Sequence, residues 1–141
     1  MKKIKNLKFS DMRNDKYIYV IAEIGINHNG SINYAKQLID IAKKAGCDAV
    51  KFQKRNLDIV YGKELLDQYR ESPWGNTQRD QKKGLEFSIE EYDEIDRYCK
   101  SKEIDWFASS WDQESQIQMR KYNFPYNKIA SAMTTNKSFV E

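Results

Sequence analysis

Six polar side chains lie at or just past the ends of apolar runs: Glu23, Lys51, Gln53, Ser109, Lys128 and Ser131. Lysine is a compact positive charge suited to phosphate, and a serine hydroxyl donates a hydrogen bond. Two lysines with two serines and a glutamine therefore suit an anionic ligand bearing phosphate and carboxylate. Glu23 adds a group able to act as acid, base or anchor for a sugar hydroxyl. The plainer alternative is a set of strand-end lysines snorkelling to solvent, with Glu23 in a salt bridge. The only histidine, His28, stands between Asn27 and Asn29. Alone it builds no metal site, and with Glu23 it would supply two ligands. The asparagines favour a hydrogen-bonded turn in which His28 is structural or belongs to a substrate loop.

The elements that position these residues follow from apolar periodicity. Residues 17–24 form a nearly unbroken apolar run, as expected for a parallel strand covered on both faces. Ser31 opens a helix whose Ile32, Ala35, Leu38, Ile39 and Ala42 share one face, and Gly46 stands where a terminating glycine belongs. A strand over 48–53 follows, which completes a βαβ unit with parallel strands. Residues 54–87 are a long connection with a short helix over 63–69, the kind of excursion that serves as a lid or binding loop. Trp74, Trp106 and Trp111 read as packing rather than as stacking platforms, and Trp74, in this loop, is the one with the place to cover a ligand. Ser88 and Glu91 form a capping box for a helix running to about 101, with Ile89, Tyr92, Ile95 and Cys99 inward. A third strand spans 104–108, Asp112 caps a helix of about two turns, and a fourth strand spans 126–130.

The order β-α-β-α-β-α-β selects an α/β fold with a parallel sheet. An open doubly wound sheet and part of a (β/α)8 TIM barrel both place ligands at the C-terminal strand ends. Alternation separates them. Val50 and Phe52 face the helices, so Lys51 and Gln53 face the other way. In an open sheet helices cover that face too, but in a barrel it is the lumen. No G-x-G-x-x-G spacing follows the first strand. The barrel is the expectation.

Composition narrows the class. The 141 residues fit one domain, and the net charge is only +3. Mixed charges argue against a nucleic-acid surface. The basic start is followed by no apolar stretch of signal-peptide length, and no segment is long enough to span a membrane. A cytoplasmic protein is expected. Cys47 and Cys99 have no partner at metal-ligand spacing and read as reduced, packed thiols.

Four segments carry a family resemblance. They are Ala22 to Gly30 (AEIGINHNG), Ala49 to Gln53 (AVKFQ), Trp106 to Asp112 (WFASSWD) and Lys128 to Ala132 (KIASA). In this order they resemble the sialic acid (nonulosonic acid) synthase family, which makes nine-carbon acidic sugars such as N-acetylneuraminic, legionaminic and pseudaminic acids. The resemblance covers about residues 17–135. It implies that carbon 3 of phosphoenolpyruvate attacks the aldehyde carbon of an open-chain N-acetylated hexosamine, N-acetylmannosamine or a 6-deoxy diacetamido analogue. Water adds at carbon 2 and phosphate leaves with C–O cleavage. By motif, Lys51, Ser109, Lys128 and Ser131 hold the phosphate and carboxylate of phosphoenolpyruvate, with Gln53 beside them. Glu23, Lys51 and Lys128 are the implied catalytic residues, and Glu23, Asn27 and His28 lie on the sugar side.

The resemblance also implies a longer protein. Family members are more than twice this length and complete an eight-stranded barrel. Two histidines on later strands bind the divalent metal, Mn2+ or Mg2+, and a C-terminal antifreeze-like domain serves a homodimer. Residues 1–141 are thus expected to be the N-terminal portion of the barrel, with no metal ligands of their own and inactive alone. Met133 replaces the acidic residue that many members carry two positions after the fourth-motif serine. The rival readings are a non-catalytic interaction module and another phosphoenolpyruvate-condensing barrel.

Overall fold

The computed structural model describes residues 18–140. The lead-in over 1–16 and Tyr17, expected at the start of the first strand, lie outside them. Four parallel strands form the sheet: β1 (Ile21–Gly25), β2 (Ala49–Lys54), β5 (Asp105–Ser110) and β6 (Lys128–Ile129). Their spatial order, β1-β2-β5-β6, is their order along the chain. An open doubly wound sheet reverses order at a switch point, and this sheet has no reversal. Helices α1 (Ile32–Lys44), α5 (Ile89–Lys102) and α6 (Gln113–Met119) all serve one face. The fold is α/β with the arrangement of the first half of a barrel.

The helix-side face is the core. Val50 and Phe52 of β2 are fully buried against Ala35, Ile39 and Ala42 of α1 and Tyr92, Ile95 and Cys99 of α5, with Trp106, Ala108 and Met119 completing the cluster. The Phe52 ring meets Tyr92 and Trp106 edge-on, and Tyr92 stacks on Trp106 at 5.8 Å. Ser31 caps α1 by accepting the Tyr34 N–H, and the capping box of α5 joins Ser88 and Glu91 in both directions. Cys47 and Cys99 are both free thiols, and burial pushes Cys99 up to about 12. Among the described residues no helix is long and apolar enough to cross a membrane.

Three expectations change. The first strand begins at Ile21 because the Asp48 carboxylate takes the Val20 N–H at 2.8 Å, replacing a ladder bond. It is also not covered on both faces: Ile18 is 83% exposed and Ile21 44%. The strand expected over 126–130 is only Lys128–Ile129, registered on Ser109 and Ser110, whereas β5 runs on through both serines. The excursion has more structure than one helix in a loop. It holds α2 (Leu57–Val60), α3 (Lys63–Leu66), an antiparallel hairpin β3 (Tyr69–Ser72) and β4 (Gly75–Thr77), and α4 (Gln78–Gly84). The helix expected over 63–69 stops at Leu66 because Tyr69 enters β3. Thr77 and Asp80 form a capping box for α4, a signal the sequence contains.

The excursion docks on the turn that follows β1. Gly30 is in the left-handed region (φ +67), and a Cβ there would lie 2.0 Å from the Gly84 carbonyl oxygen. A Cβ on Gly84 would strike the Trp74 ring at 2.2 Å. Trp74 packs its ring against this glycine pair, in line with the packing reading. His28 closes the same junction. It is 1% exposed, its ring stacks on Phe87 at 3.9 Å, and its Nδ1 accepts the Gly30 N–H. Burial, opposed by a backbone hydrogen bond with Gly25 and aided by the charge of Arg55, lowers its pKa to about 4.

Two outcomes follow from this junction. Gly30→Ala adds left-handed strain and overpacking, and should cost about 2–5 kcal/mol in urea unfolding. An unchanged midpoint contradicts the close approach. His28 is lowered from 6.5 to about 4 on folding, so the unfolded chain protonates first. Stability is therefore full above pH 6.5 and falls as the pH drops towards 4, by about 1.4 kcal/mol per pH unit. The unfolding free energy should fall slightly between pH 7 and 6 and more steeply between pH 6 and 5, where it nears that limiting slope, and His28→Gln should remove the fall.

Candidate active site

Parallel pairing places the C-terminal ends of β1, β2, β5 and β6 side by side. The register sets Glu23 opposite Lys51, Gln53 opposite Ser109, and Ser109 opposite Lys128. Registered neighbours share a face, so these residues line the face away from the helices. Phe107, registered on Lys51, lies one layer beneath Ser109 and is buried edge-on against Tyr126. The site thus has an inner layer of Glu23, Lys51 and Phe107 and an outer layer of Gln53, Ser109 and Lys128.

Lys51 is 8% exposed, and its Nζ stands 2.7 Å from Glu23 Oε2. The Glu23 side chain is 55% exposed, so the pair joins a buried cation to a carboxylate open to the mouth. A buried ammonium without a partner would be costly. Between Glu23 and Gly25 the register shifts, and Gly25 takes a left-handed φ of +56. A Cβ on Gly25 would meet Glu23 Oε1 at 3.1 Å and Gln53 Nε2 at 3.3 Å. Both polar heads therefore converge on a space that only glycine leaves open.

Glu23, Lys51, Gln53 and Ser109 are brought together. Ser109 is 2% exposed, and its hydroxyl donates to the Lys128 carbonyl at 3.4 Å. Lys128 and Ser131 stand further out. Both are exposed, the Lys128 ammonium donates to the Ile129 carbonyl, and Ser131 begins a short 3-10 turn. On the expected sugar side, Glu23 and Asn27 are open to solvent. His28 is not: its ring is packed against Phe87 and Phe52, which makes it a structural residue of the turn. Among the described residues no three His, Cys, Asp or Glu side chains converge to hold a metal ion.

Other residues hold the strand ends in place. The Tyr92 hydroxyl donates to the Gln53 carbonyl and fixes the end of β2 from the core side. Asp112 caps α6 through the Ser115 N–H at 2.7 Å and also accepts the Asn56 N–H at 2.7 Å, which ties the loop after β2 to the loop after β5. Arg55, Glu86, Tyr61 and Trp111 form a cluster just outside the site. The Arg55 Nε and backbone N–H both donate to the Glu86 carboxylate, at 2.6 and 3.1 Å. Burial works against the Arg55 charge, but Glu86 and Tyr61 outweigh it and raise its pKa. Alternation carried two residues past Gln53 points to Arg55. Glu86 has no such signal, being 31 residues away in sequence.

Comparison with known proteins bears on this arrangement. The NeuB family profile matches residues 38–141. The chain is 40% identical over 121 residues to the N-acetylneuraminate-9-phosphate synthase of Drosophila melanogaster, covering 84% of this chain and 32% of that protein. It is 32% identical over 126 residues to the N,N'-diacetyllegionaminic acid synthase of Legionella pneumophila, covering 87% and 35%. Among solved structures, the N-acetylneuraminic acid synthetase of Leptospira borgpetersenii, in complex with citrate, superposes with a TM-score of 0.72 at 26% identity, covering 87% of this chain and 39% of that one. The chain thus spans about a third of the length of the curated relatives it matches. The matched profile, the relatives and the shared fold together make this chain a member of the NeuB family, the sialic acid synthases.

Proposed function

We propose that this chain supplies the phosphoenolpyruvate side of an enzyme that condenses phosphoenolpyruvate with an N-acetylated hexosamine, giving a nine-carbon acidic sugar and phosphate. The observation that carries the reading is the Lys51 ammonium, buried at the C-terminal mouth of a parallel sheet beside Gln53 and Ser109. A desolvated cation ringed by donors binds a phosphate or carboxylate far more strongly than it would in water. Lys51 and Ser109 hold the anion from below, Gln53 lies beside it, and Lys128 and Ser131 reach it from the rim. Glu23, paired with Lys51 yet open to the mouth, orients the acceptor sugar, with Asn27 on the same side. Carbon 3 of phosphoenolpyruvate then attacks the aldehyde carbon, water adds at carbon 2, and phosphate departs with its bridging C–O bond broken.

The whole enzyme is proposed on the family pattern. Residues 1–141 are the N-terminal portion of its barrel, and a second half-barrel and an antifreeze-like domain complete a cytoplasmic homodimer. The family uses a divalent metal, Mn2+ or Mg2+. The described residues offer no ligand set that fits one, so every role above belongs to this chain's own side chains.

In the active enzyme containing this segment, Lys51→Ala should raise the KM for phosphoenolpyruvate or lower kcat/KM by about 10- to 100-fold, the scale of a lost hydrogen bond to a charged group. Unchanged kinetics would sink the assignment. The 141-residue chain alone should release no phosphate from phosphoenolpyruvate and N-acetylmannosamine, as measured by a coupled phosphate assay.

A further inference from the structure

The sheet ends twice without a neighbour. Among the described residues, β1 pairs only with β2 and β6 only with β5. An edge strand leaves a row of N–H and C=O groups unpaired and so offers a template to another strand. Exposed large side chains cluster at the β1 edge: Ile18 and Val20 just before the strand, and Ile21 within it. Helix α1 continues this surface. Its Lys36, Asp40 and Lys43 reach Glu94, Lys102 and the Glu103 carbonyl on the α5 side. Tyr34 and Ile41, two turns apart, lie on the opposite flank, towards the free edge. Both are exposed, Ile41 by 64%.

The other edge is unfinished. Alternation predicts a strand over 126–130, yet only Lys128 and Ile129 pair. The Ile129 carbonyl is taken by the Lys128 ammonium of the same strand. A lysine on an open edge blunts pairing without removing the template. Ile129 is itself exposed, and so is Val140 of the short helix α7 (Lys137–Val140) that follows.

We propose that two copies of the 141-residue chain close on each other, β6 of each against β1 of the other, into a parallel eight-stranded barrel. The proposal rests on the half-barrel fold and not on the reaction. Four strands in chain order, with their helices on one face, are half of what such a barrel needs. A two-fold axis along the barrel keeps every strand parallel and uses both edges of both copies, so assembly stops at two. Right-handed crossovers set the helix after each strand over the seam to the next. Helix α7 of one copy therefore meets the Tyr34 and Ile41 flank of the other. A stable dimer buries roughly 800 Å² of each copy, so each of the two ends must give roughly 400 Å², the area of a few large side chains. Ile21 and the Glu23–Lys51 pair, on the face without helices, turn from solvent towards the partner. The second half-barrel proposed above would occupy the same edges, so the dimer belongs to the 141-residue chain by itself.

Sedimentation equilibrium of the 141-residue chain at micromolar concentration should give twice its mass of 16.7 kDa. Ile41→Lys and Ile129→Lys should each weaken the dimer by about 10-fold or more, because each places an ammonium in a seam. Ile117→Lys is the control. Ile117 is also 64% exposed, but it points to solvent, opposite the buried Ser115 and Met119 of α6, and its replacement should leave the dimer intact. Amide hydrogen exchange adds a readout that needs no substitution. The N–H groups of 126–130 should exchange slowly at high protein concentration and fast on dilution, because β6 lengthens when it gains a second neighbour. A monomer throughout the micromolar range overturns the proposal, as does a dimer that Ile41→Lys and Ile129→Lys leave as tight as Ile117→Lys does. A mass that grows without limit, or exchange over 126–130 that ignores dilution, overturns it as well.

Discussion

An ammonium group inside a layer of fully buried neighbours constrains the whole sheet. Lys51 is flanked by Val50 and Phe52, both completely buried on the opposite face. It is tolerated because the strand turns it onto the face without helices, where Glu23 meets it. That single alternation fixes the register. A slip of one residue would drive Lys51 into the aromatic cluster and lift Phe52 into the mouth. The pairings of Glu23 with Lys51 and of Gln53 with Ser109 are thus consequences of where one charge can survive desolvation.

The rest of the structure holds those strand ends still. Tyr92 reaches through the core to the Gln53 carbonyl. Asp112 spends its carboxylate on two loops at once, capping α6 while holding the backbone at Asn56. Arg55 clamps the end of the excursion through Glu86. Each contact joins segments far apart in sequence, so the mouth is built from tertiary contacts rather than from the stiffness of any one loop. Lys128 opens a strand of only two residues and Ser131 follows it, and both side chains are exposed.

Much of this was legible in the sequence. Helix α1 with its Ser31 cap, the Ser88 capping box, the inward face of α5 and the outward turn of Lys51 and Gln53 all follow from local pattern, because period and capping are short-range properties. The site layer followed from the same alternation. What was hidden depends on long-range contact. The hairpin Tyr69–Ser72 with Gly75–Thr77 is exposed and polar, so no apolar alternation marks it as strand. His28 looked like a group for the mouth, and its burial under Phe87 depends on a residue 59 positions later in the sequence, beyond any local signal. The short β6 reflects pairing to a single neighbour, which no reading of residues 126–130 reveals. Glu86 was invisible for the same reason as Phe87.

The contact between Gly30 and Gly84 makes the excursion and the turn after the first strand depend on one another. The excursion, a run of short helices and a hairpin between two strands, looks like a separable piece of chain. Its last helix nevertheless rests its backbone on the turn after the first strand, with a tryptophan closing over the joint. Segment and turn therefore form one inheritable unit. A graft of residues 55–86 onto another scaffold keeps its shape only when the recipient also offers a glycine at the position of Gly30.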